Sequence, residues 1–230
     1  MDRELKDRYI RNEQMLSPEE NSRLRSFRVA VVGCGGLGGY IIEMLARLGI
    51  GHLTLIDGDV FEASNLNRQI LSSPENLGRP KAPEAEKRVK QINPGIQVTA
   101  KQTMLSKDNA QGLLKGHDLV CDALDNISSR KVVADAANRL GIPMVFGAIA
   151  GWHAHIGTIL PGGQLLEKIY PAGAEKGAET QLGNPSFTPA LAASLQVAET
   201  LKVLLDKEGI LKNKLLVIDT LKHEYQVIDL

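Results

Sequence analysis

Short apolar runs alternate with longer amphipathic stretches along the first two thirds of the chain. The first run, residues 28–32, is continuous and rich in β-branched residues, which favours a strand buried on both faces. A glycine-rich turn and an amphipathic stretch follow, and the next apolar run covers residues 52–56. This order predicts a strand, a helix and a second strand parallel to the first.

The same alternation continues as far as residue 149. It predicts helices over residues 80–93, 106–116 and 128–141, and strands over residues 96–100, 118–124 and 143–149. Alternating strands and helices are typical of an open sheet with helices on both faces. The predicted fold class is therefore α/β, with a Rossmann-like doubly wound sheet.

The C-terminal third has a different pattern. Residues 153–160 alternate between apolar and polar positions and predict a strand, and residues 189–209 predict a long apolar helix. Residues 214–220 and 224–230 predict an antiparallel hairpin with its turn near Lys222. The sheet is therefore expected to be mixed, with a parallel N-terminal part and antiparallel C-terminal strands.

Two segments lie outside this sheet. Residues 1–26 predict two short helices, the second beginning at Ser17 and Pro18, a typical N-cap and first helical residue. Residues 161–188 are rich in Gly, Pro, Ala and Thr and show little periodicity, so they predict a long loop, which in a compact domain is usually functional or disordered. A length of 230 residues suits one domain that spans the whole chain.

Composition narrows the class of protein. Lys plus Arg and Asp plus Glu both number 27, so the formal net charge is zero and no bulk attraction to nucleic acid or to an anionic membrane is expected. No apolar run approaches the roughly 20 residues that span a bilayer, and the charged N-terminus lacks the apolar core of a secretory signal. Cys34 and Cys121 lack the C-x-x-C spacing of a zinc site. A cytoplasmic location is expected.

A glycine-rich turn supplies the first candidate chemistry. Gly33, Gly35, Gly36 and Gly38 fit the pattern G-x-G-x-x-G between a strand and a helix. Such a turn brings backbone N–H groups to a phosphate at a helix N-terminus. Asp57 ends the second strand at about the spacing of a ribose-binding acid. These features alone would favour a nicotinamide-dependent oxidoreductase.

Three further features point away from that class. Residues 57–69 (DGDVFEASNLNRQ) crowd polar side chains just beyond a strand, and Lys81 starts a helix, where the helix dipole disfavours a cation unless an anion is near. Asp122 and Asp125 end another strand, and a carboxylate that faces phosphates needs a cation such as Mg²⁺. The alternatives are a solvated surface lysine and a helix N-cap at Asp122, Asp125 or Asn126.

Together these residues indicate a site for ATP with Mg²⁺. Arg68 and Lys81 would hold the β- and γ-phosphates, Asn65 and Gln69 would hydrogen-bond the phosphate chain or a metal-bound water, and Asp125 would hold the metal. This set suits attack on the α-phosphate by a substrate carboxylate, with release of pyrophosphate. The protein then acts by positioning and charge neutralisation, and needs no nucleophile of its own.

Four motifs carry a resemblance to a known family: GCGGLGG, DGDVFEASNLNRQ, GRPKA and CDALDN. In this order and spacing the chain resembles the ThiF/MoeB/HesA family, the bacterial relatives of ubiquitin-activating enzymes, over about residues 5–230. The resemblance implies adenylation of the C-terminal Gly-Gly carboxylate of a ubiquitin-like sulfur-carrier protein, with Mg-ATP, by a homodimer. The adenylated carrier would serve sulfur transfer in cofactor biosynthesis.

The resemblance also implies a set of site residues. Those expected to contact the nucleotide are Gly33, Gly35, Gly36, Gly38, Asp57, Asp59, Ser64, Asn65, Asn67, Arg68, Gln69, Lys81, Asp125 and Asn126. Asp57 would bind the ribose and Asp125 the Mg²⁺. Arg11, in the N-terminal sequence RYIRN, would reach into the partner subunit's site as an arginine finger, although Asn12 departs from the family's usual Gln.

This chain departs from the family pattern in its cysteines, and these departures limit the reaction that we expect it to catalyse. The chain has no C-x-x-C pair, so no structural zinc is expected, and residues 161–188 contain no cysteine that could link covalently to the carrier. Cys34 and Cys121 are expected to be small core residues. The chain would then catalyse adenylation only, with sulfur supplied by a separate donor. Residues 161–188 would form a flexible crossover loop over the active site.

The strand before this loop carries the only tryptophan of the chain, Trp152, together with His153 and His155. Trp152 is expected to be a core or dimer contact. For the two histidines we expect alternating strand positions and no catalytic role.

Other functions remain open at this stage. The chain could be a scaffold that binds the carrier without activating it, although Arg68, Lys81 and Asp125 argue against this, or a nicotinamide-dependent dehydrogenase. A tRNA-modifying dehydratase of the same superfamily is disfavoured by the neutral charge. The sequence leaves open which carrier is served, so the thiamin, molybdopterin, tungstopterin and cysteine pathways all remain.

Overall fold

The computed structural model contains one eight-stranded mixed sheet with helices on both faces. It describes residues 7–171, 173–174, 177 and 179–230. The strands are β1 (Arg28–Val32), β2 (His52–Ile56), β3 (Gln97–Lys101), β4 (Leu119–Asp122), β5 (Met144–Ala150), β6 (His153–Ile159), β7 (Lys214–Asp219) and β8 (Glu224–Asp229). The α-helices are α1 (Pro18–Leu24), α2 (Gly36–Leu48), α3 (Lys81–Ile92), α4 (Ala110–Leu114), α5 (Ile127–Leu140), α6 (Leu165–Ile169), α7 (Glu179–Leu182) and α8 (Phe187–Leu204).

The strand order across the sheet is β3-β2-β1-β4-β5-β6-β7-β8. Strands β1 to β5 are parallel, and β6, β7 and β8 pair antiparallel, so the prediction of a mixed sheet is confirmed. The chain moves from β1 to one side through β2 and β3, and then returns to the other side at β4. Ligands of open α/β sheets bind beyond the carboxyl ends of the strands at such a switch point.

The sheet is buried between two apolar layers because the central strands β1 and β4 carry apolar residues that point to both faces. In β1, Val29 and Val31 point to the layer that contains α2, α3 and α8, while Ala30 and Val32 point to the layer that contains α4, α5 and α6. All four are at most 1% exposed. Fully burying each valine contributes about 1.5–3 kcal/mol, so the layers fix the position of the strand that leads into the glycine turn.

The N-terminal segment contains one of the two predicted helices in full. Ser17 caps α1 with its Oγ, which accepts from the N–H of Glu20 at 3.2 Å, and the Glu20 carboxylate accepts from the N–H of Ser17 at 3.0 Å. This reciprocal capping box and Pro18 at the first position confirm the predicted start. Ahead of it lies a short 3₁₀ turn, Ile10–Asn12, and residues 1–6 fall outside the described part of the chain.

The segment 161–188 has more regular structure than its composition predicts. Helix α6 buries Leu165 and Leu166 against the sheet, and the short helix α7 follows before α8 begins. Residues 172, 175, 176 and 178 of this segment lie outside the described residues. That the segment is flexible and crosses the active site stays a prediction.

The placement of Trp152 on a strand is wrong. Trp152 lies in the tight turn between β5 and β6, where Gly151 has φ of +54°, and its ring packs against Phe187 at 4.8 Å. His153 and His155 lie on β6 as predicted. Among the described residues, no helix combines the length and apolarity that a bilayer crossing requires.

Candidate functional site

The glycine turn between β1 and α2 is too tight for larger residues at two positions. Gly33 has φ of +99°, and a Cβ there would lie 2.5 Å from the carbonyl oxygen of Ala123. A Cβ at Gly38 would lie 1.8 Å from the carbonyl oxygen of Gly33. The turn therefore brings the N-terminus of α2 to the carboxyl edge of the sheet, where its first N–H groups have no partner within the helix and favour an anion.

Asp57 braces this turn from the end of β2. One carboxylate oxygen accepts from the N–H of Cys34 at 2.7 Å, and the other accepts from the N–H of Asp59 at 2.8 Å. Burial raises the pKa of the Asp57 carboxyl, while these two N–H donors oppose the shift. Asp57 thus couples the glycine turn to the polar loop that follows β2.

The polar loop presents Arg68 and Gln69 to the cleft. Arg68 donates from Nη1 to the carbonyl oxygen of Ser64 at 3.0 Å and to Oδ1 of Asn67 at 2.9 Å, and its aliphatic part lies over Gly36. The Gln69 side chain is buried, and its Oε1 has no hydrogen-bond partner in the described part of the chain. Buried polar atoms are normally satisfied, so this orphaned amide fits a site that takes a polar ligand.

Lys81 begins α3 as predicted and is not a solvated surface lysine. Its side chain is 9% exposed, and its Nζ lies 3.3 Å from Oδ2 of Asp59. The Lys81 N–H also donates to the carbonyl oxygen of Asp59 at 2.9 Å. A loop residue therefore fixes both the backbone and the ammonium group of Lys81, and the cation faces the cleft.

The two predicted carboxylates after β4 have different environments. Asp122 is fully buried, with its Oδ2 3.1 Å from Nη1 of Arg130, and burial raises its pKa. Asp125 is exposed, and Asn126 beside it is the N-cap of α5, with its Oδ1 accepting from the N–H of Ser129 at 2.8 Å. Asp125 is therefore the carboxylate that a ligand can reach.

These elements enclose one cleft. Of the residues predicted to contact a nucleotide, those lining it are Gly33, Gly35, Gly36, Asp57, Asp59, Arg68, Gln69, Lys81, Asp125 and Asn126. The remaining four, Gly38, Ser64, Asn65 and Asn67, are not among the lining residues. Gly38 packs beneath the turn, while Asn65 accepts from the N–H of Glu62 and Asn67 donates to the carbonyl oxygen of Asn184. Their predicted contacts with the nucleotide stay predictions.

Sequence reasoning missed several lining residues. Thr103, Met104 and Leu105 follow β3 and line the cleft together with Val32 and Ile56, which gives it a partly apolar region. They could have been found by noting that residues just beyond a parallel strand meet those beyond its neighbours. Arg130 and Asn184 also line the cleft, and neither belongs to a motif recognised in the sequence.

Arg11 lies near the amino ends of the parallel strands, whereas the cleft lies beyond their carboxyl ends. Just before it, Tyr9 accepts from Nδ2 of Asn93 at 2.7 Å and packs over Gly49. Both of these residues lie at the amino ends of strands, and a five-residue strand is roughly 17 Å long. The exposed Arg11 is therefore placed away from the cleft of its own chain.

The two cysteines are buried, as predicted. Burial raises the pKa of Cys121 to about 12 and raises that of Cys34 well above its usual value. Neither thiol is therefore ionised near neutral pH.

The donor set of the cleft suits a bound triphosphate with its metal ion. Its lining combines the cations Arg68 and Lys81 and the N-terminus of α2 with the exposed carboxylate of Asp125, which no ion pair of the described residues engages. The described residues contain no group of three or more His, Cys, Asp or Glu that could hold a metal ion by themselves. A metal at Asp125 would therefore draw its other ligands from phosphate oxygens and water, as Mg²⁺ commonly does.

Comparison with known proteins agrees with this geometry. The model of the ThiF family matches residues 7–230. The chain is 35% identical over 227 residues to the SAMP-activating enzyme E1 of Haloferax volcanii, covering 96% of this chain and 84% of that protein. It is 38% identical over 233 residues to the sulfur carrier protein adenylyltransferase of Thermus thermophilus, covering 96% and 85%.

A solved structure, that of E. coli MccB, has the same fold. It superposes with a TM-score of 0.84 over all of this chain and 71% of MccB, at 22% sequence identity. At that identity the likeness concerns the fold alone. The family is established by the match over residues 7–230 and by the two relatives above 30% identity: the chain belongs to the ThiF family.

Proposed function

We propose that this chain adenylates the C-terminal Gly-Gly carboxylate of a ubiquitin-like sulfur-carrier protein, with ATP as co-substrate and pyrophosphate as product. The chain is an adenylyltransferase, the activity named for its relative in Thermus thermophilus. The observation that carries the proposal is one cleft whose lining combines Arg68, Lys81 and the N-terminus of α2 with the exposed carboxylate of Asp125.

The chemistry follows from this charge arrangement. An oxygen of the carrier carboxylate attacks the α-phosphorus of ATP, the bond to the bridging oxygen breaks, and pyrophosphate leaves. Arg68 and Lys81 offset the charge that develops on the leaving group, and because they are already fixed by Ser64, Asn67 and Asp59 they need little reorganisation. No protein nucleophile takes part.

The base of the nucleotide would occupy the partly apolar region of the cleft, and Asp57 would face the ribose. Asp125 would hold Mg²⁺. The orphaned Oε1 of Gln69 would accept from a metal-bound water, while its Nε2 would donate to a phosphate oxygen. Bound Mg²⁺ would neutralise phosphate charge and keep the α-phosphorus open to an anionic carboxylate.

A sulfur-carrier protein is the favoured substrate because the Thermus thermophilus relative is named a sulfur carrier protein adenylyltransferase. The chain would stop at the acyl adenylate. Its two cysteines are buried and protonated, and residues 161–188 contain none. A separate protein would then supply the sulfur.

The enzyme would act as a homodimer. Arg11 is exposed at the edge of the sheet away from its own cleft, so any contact it makes with a phosphate requires a second copy of the chain. This supports the role of an arginine finger that acts in the partner's site.

Carrier-dependent exchange of labelled pyrophosphate into ATP tests the proposal. The unmodified protein should catalyse exchange with a Gly-Gly-ended carrier, and Asp125→Ala and Arg68→Ala should each reduce the rate by at least about 10²-fold without loss of the folded state. If no Gly-Gly-ended carrier supports exchange, the chain is a carrier-binding scaffold and not an adenylyltransferase. If either variant exchanges at the unmodified rate, the site assignment is wrong.

A further inference from the structure

Strands β4 and β5 stop pairing near the carboxyl end of β4, at the end of the strands where the cleft lies. Their paired positions are Val120 with Met144 and Cys121 with Val145, after which the ladder stops although β5 continues to Ala150. Backbone groups that leave a ladder inside a protein need other partners. Here the partners are two side chains, one from each face of the sheet.

The first of these side chains is Gln196, which reaches the gap from α8. It is fully buried, and its Nε2 donates to the carbonyl oxygen of Asp122 at 2.8 Å and lies 3.2 Å from that of Val145. The amide thus bridges the two strands where their own hydrogen bonds end. Gly147 leaves room for it, since a Cβ there would lie 2.2 Å from Cδ of Gln196.

The second side chain is Arg130, which reaches the same gap from α5 on the opposite face. Its Nη1 donates to the carbonyl oxygen of Gly147 at 2.6 Å and to Oδ2 of Asp122 at 3.1 Å. Its Nη2 donates to the carbonyl oxygen of Leu124, and the guanidinium lies 5.0 Å from the ring centre of Phe146. The buried guanidinium of Arg130 therefore donates to three acceptors around the gap.

Both side chains act on the short loop that carries Asp125. Gln196 holds the carbonyl oxygen of Asp122 at the start of this loop, and Arg130 holds the carbonyl oxygen of Leu124, which belongs to the peptide bond that leads into Asp125. At the other end, Asn126 caps α5. Asp125 itself has only a 3.4 Å contact with Asn126 in the described residues, so the loop backbone sets where its carboxylate points.

We infer that Gln196 and Arg130 are positioning residues, which hold the loop of residues 122–126 so that the Asp125 carboxylate faces a bound metal ion. The inference rests on the metal-binding role proposed for Asp125. Gln196 need not touch the metal, because it is not among the residues that line the cleft. Outer residues that orient a metal ligand typically change metal affinity by about 10–100-fold when they are replaced.

Gln196→Met is the sharper test, because Arg130 also lines the cleft and could act on the nucleotide directly. The substitution keeps the length of the side chain and removes its amide donors. We expect the Mg²⁺ concentration for half-maximal pyrophosphate exchange to rise by about 10-fold or more, with a smaller change in the rate at saturating Mg²⁺. Amide hydrogen exchange of residues 122–127 should also become faster.

Thr200→Val is the matched control. Thr200 lies one turn further along α8, is equally buried, and donates to the carbonyl oxygen of Gln196 and contacts Sγ of Cys121. It should lower the melting temperature while leaving both the Mg²⁺ requirement and the exchange of the loop unchanged. If Gln196→Met fails to fold, Gln196→Asn, which shortens the reach by one methylene, replaces it.

An unchanged Mg²⁺ requirement and an unchanged loop in a folded Gln196 variant would overturn the inference. So would an equal shift of both quantities in Thr200→Val, because that would indicate a general loss of packing. If the unmodified protein shows no pyrophosphate exchange, the proposed function fails. The inference is then decided by Mn²⁺ binding in the presence of a non-hydrolysable ATP analogue, with the same variants and the same expected shift.

Discussion

His117 is kept neutral by the packing between β2 and the end of α4. Its Nδ1 lies 3.0 Å from the carbonyl oxygen of Leu114 and its Nε2 lies 2.7 Å from Oγ1 of Thr54. A carbonyl oxygen can only accept, so Nδ1 carries the proton and Nε2 accepts from the threonine hydroxyl. Burial lowers the pKa of His117, and it also lowers those of His52 and His155.

These lowered pKa values make stability depend on pH. Between the lowered folded value and the ordinary value of 6.5, the unfolded chain binds protons that the folded chain does not. The contribution of these neutral histidines to the free energy of unfolding is therefore fully present above about pH 6.5, and it is lost as the pH falls toward the folded pKa. We expect the melting temperature to drop over this range, and His117→Gln, which cannot titrate, to reduce the slope.

His223→Gln, which makes the same substitution at an exposed position, is the control. An identical slope in His117→Gln and the unmodified protein would contradict the assignment of this pH dependence to His117.

At the residue scale, sequence reasoning worked where a side chain belongs to a run that begins at a strand end. Arg68 and Asp125 both belong to such runs, and both line the cleft. It failed for Arg130 and Gln196, which come from helices on opposite faces of the sheet and reach the same gap where the pairing of β4 and β5 ends. Where the pairing of two strands ends depends on tertiary packing, and no local sequence pattern predicts it.

At the element scale, Gly147 allows α8 to approach β5 closely. A Cβ at this position would lie 2.2 Å from both Cδ and Oε1 of Gln196, so Gly147→Ala must displace a side chain that is fully buried. Overpacking of this kind typically costs about 1–3 kcal/mol. We expect urea denaturation to report a loss of stability in that range.

Gly112→Ala is the matched control, since Gly112 lies in α4 with no atom within 4 Å of its Cβ position. Alanine favours a helix over glycine by about 0.8–1.0 kcal/mol, so this variant should be slightly more stable than the unmodified protein. A Gly147→Ala protein as stable as Gly112→Ala would show that Gln196 can move without cost.

The strands were the most predictable elements because each is an uninterrupted or alternating apolar run between turn residues. Burial of every residue of β4, and of β1 from Val29 onward, agrees with the pattern of a strand covered on both faces. Helix α6 escaped prediction because a five-residue helix is too short to show a period. Trp152 was placed on a strand because the turn at Gly151 is only two residues long.

At the scale of the whole molecule, the distance between Arg11 and the cleft predicts that activity is shared between two copies. If Arg11 serves the partner's cleft, a mixture of Arg11→Ala and Asp125→Ala chains contains dimers in which one site has both residues intact. We expect pyrophosphate exchange to recover to a fraction of the unmodified rate, at most about one quarter for random pairing of equal amounts.

Each variant measured alone at the same total concentration provides the baseline. A mixture that is no more active than the mean of the two separate proteins would exclude a finger that acts in trans, and it would leave Arg11 as a surface charge.

The edge strand β8 bears on where a second copy can dock. Its side chains are exposed on both faces, and its outer edge is open for pairing with another strand. If two copies joined antiparallel along β8 with their centres aligned, Glu224 of each would face Asp229 of the other, and like charges in opposed positions repel. Repulsion between these acids therefore disfavours the pairing of two copies along β8 into a longer sheet. A dimer of this chain is expected to form through another surface.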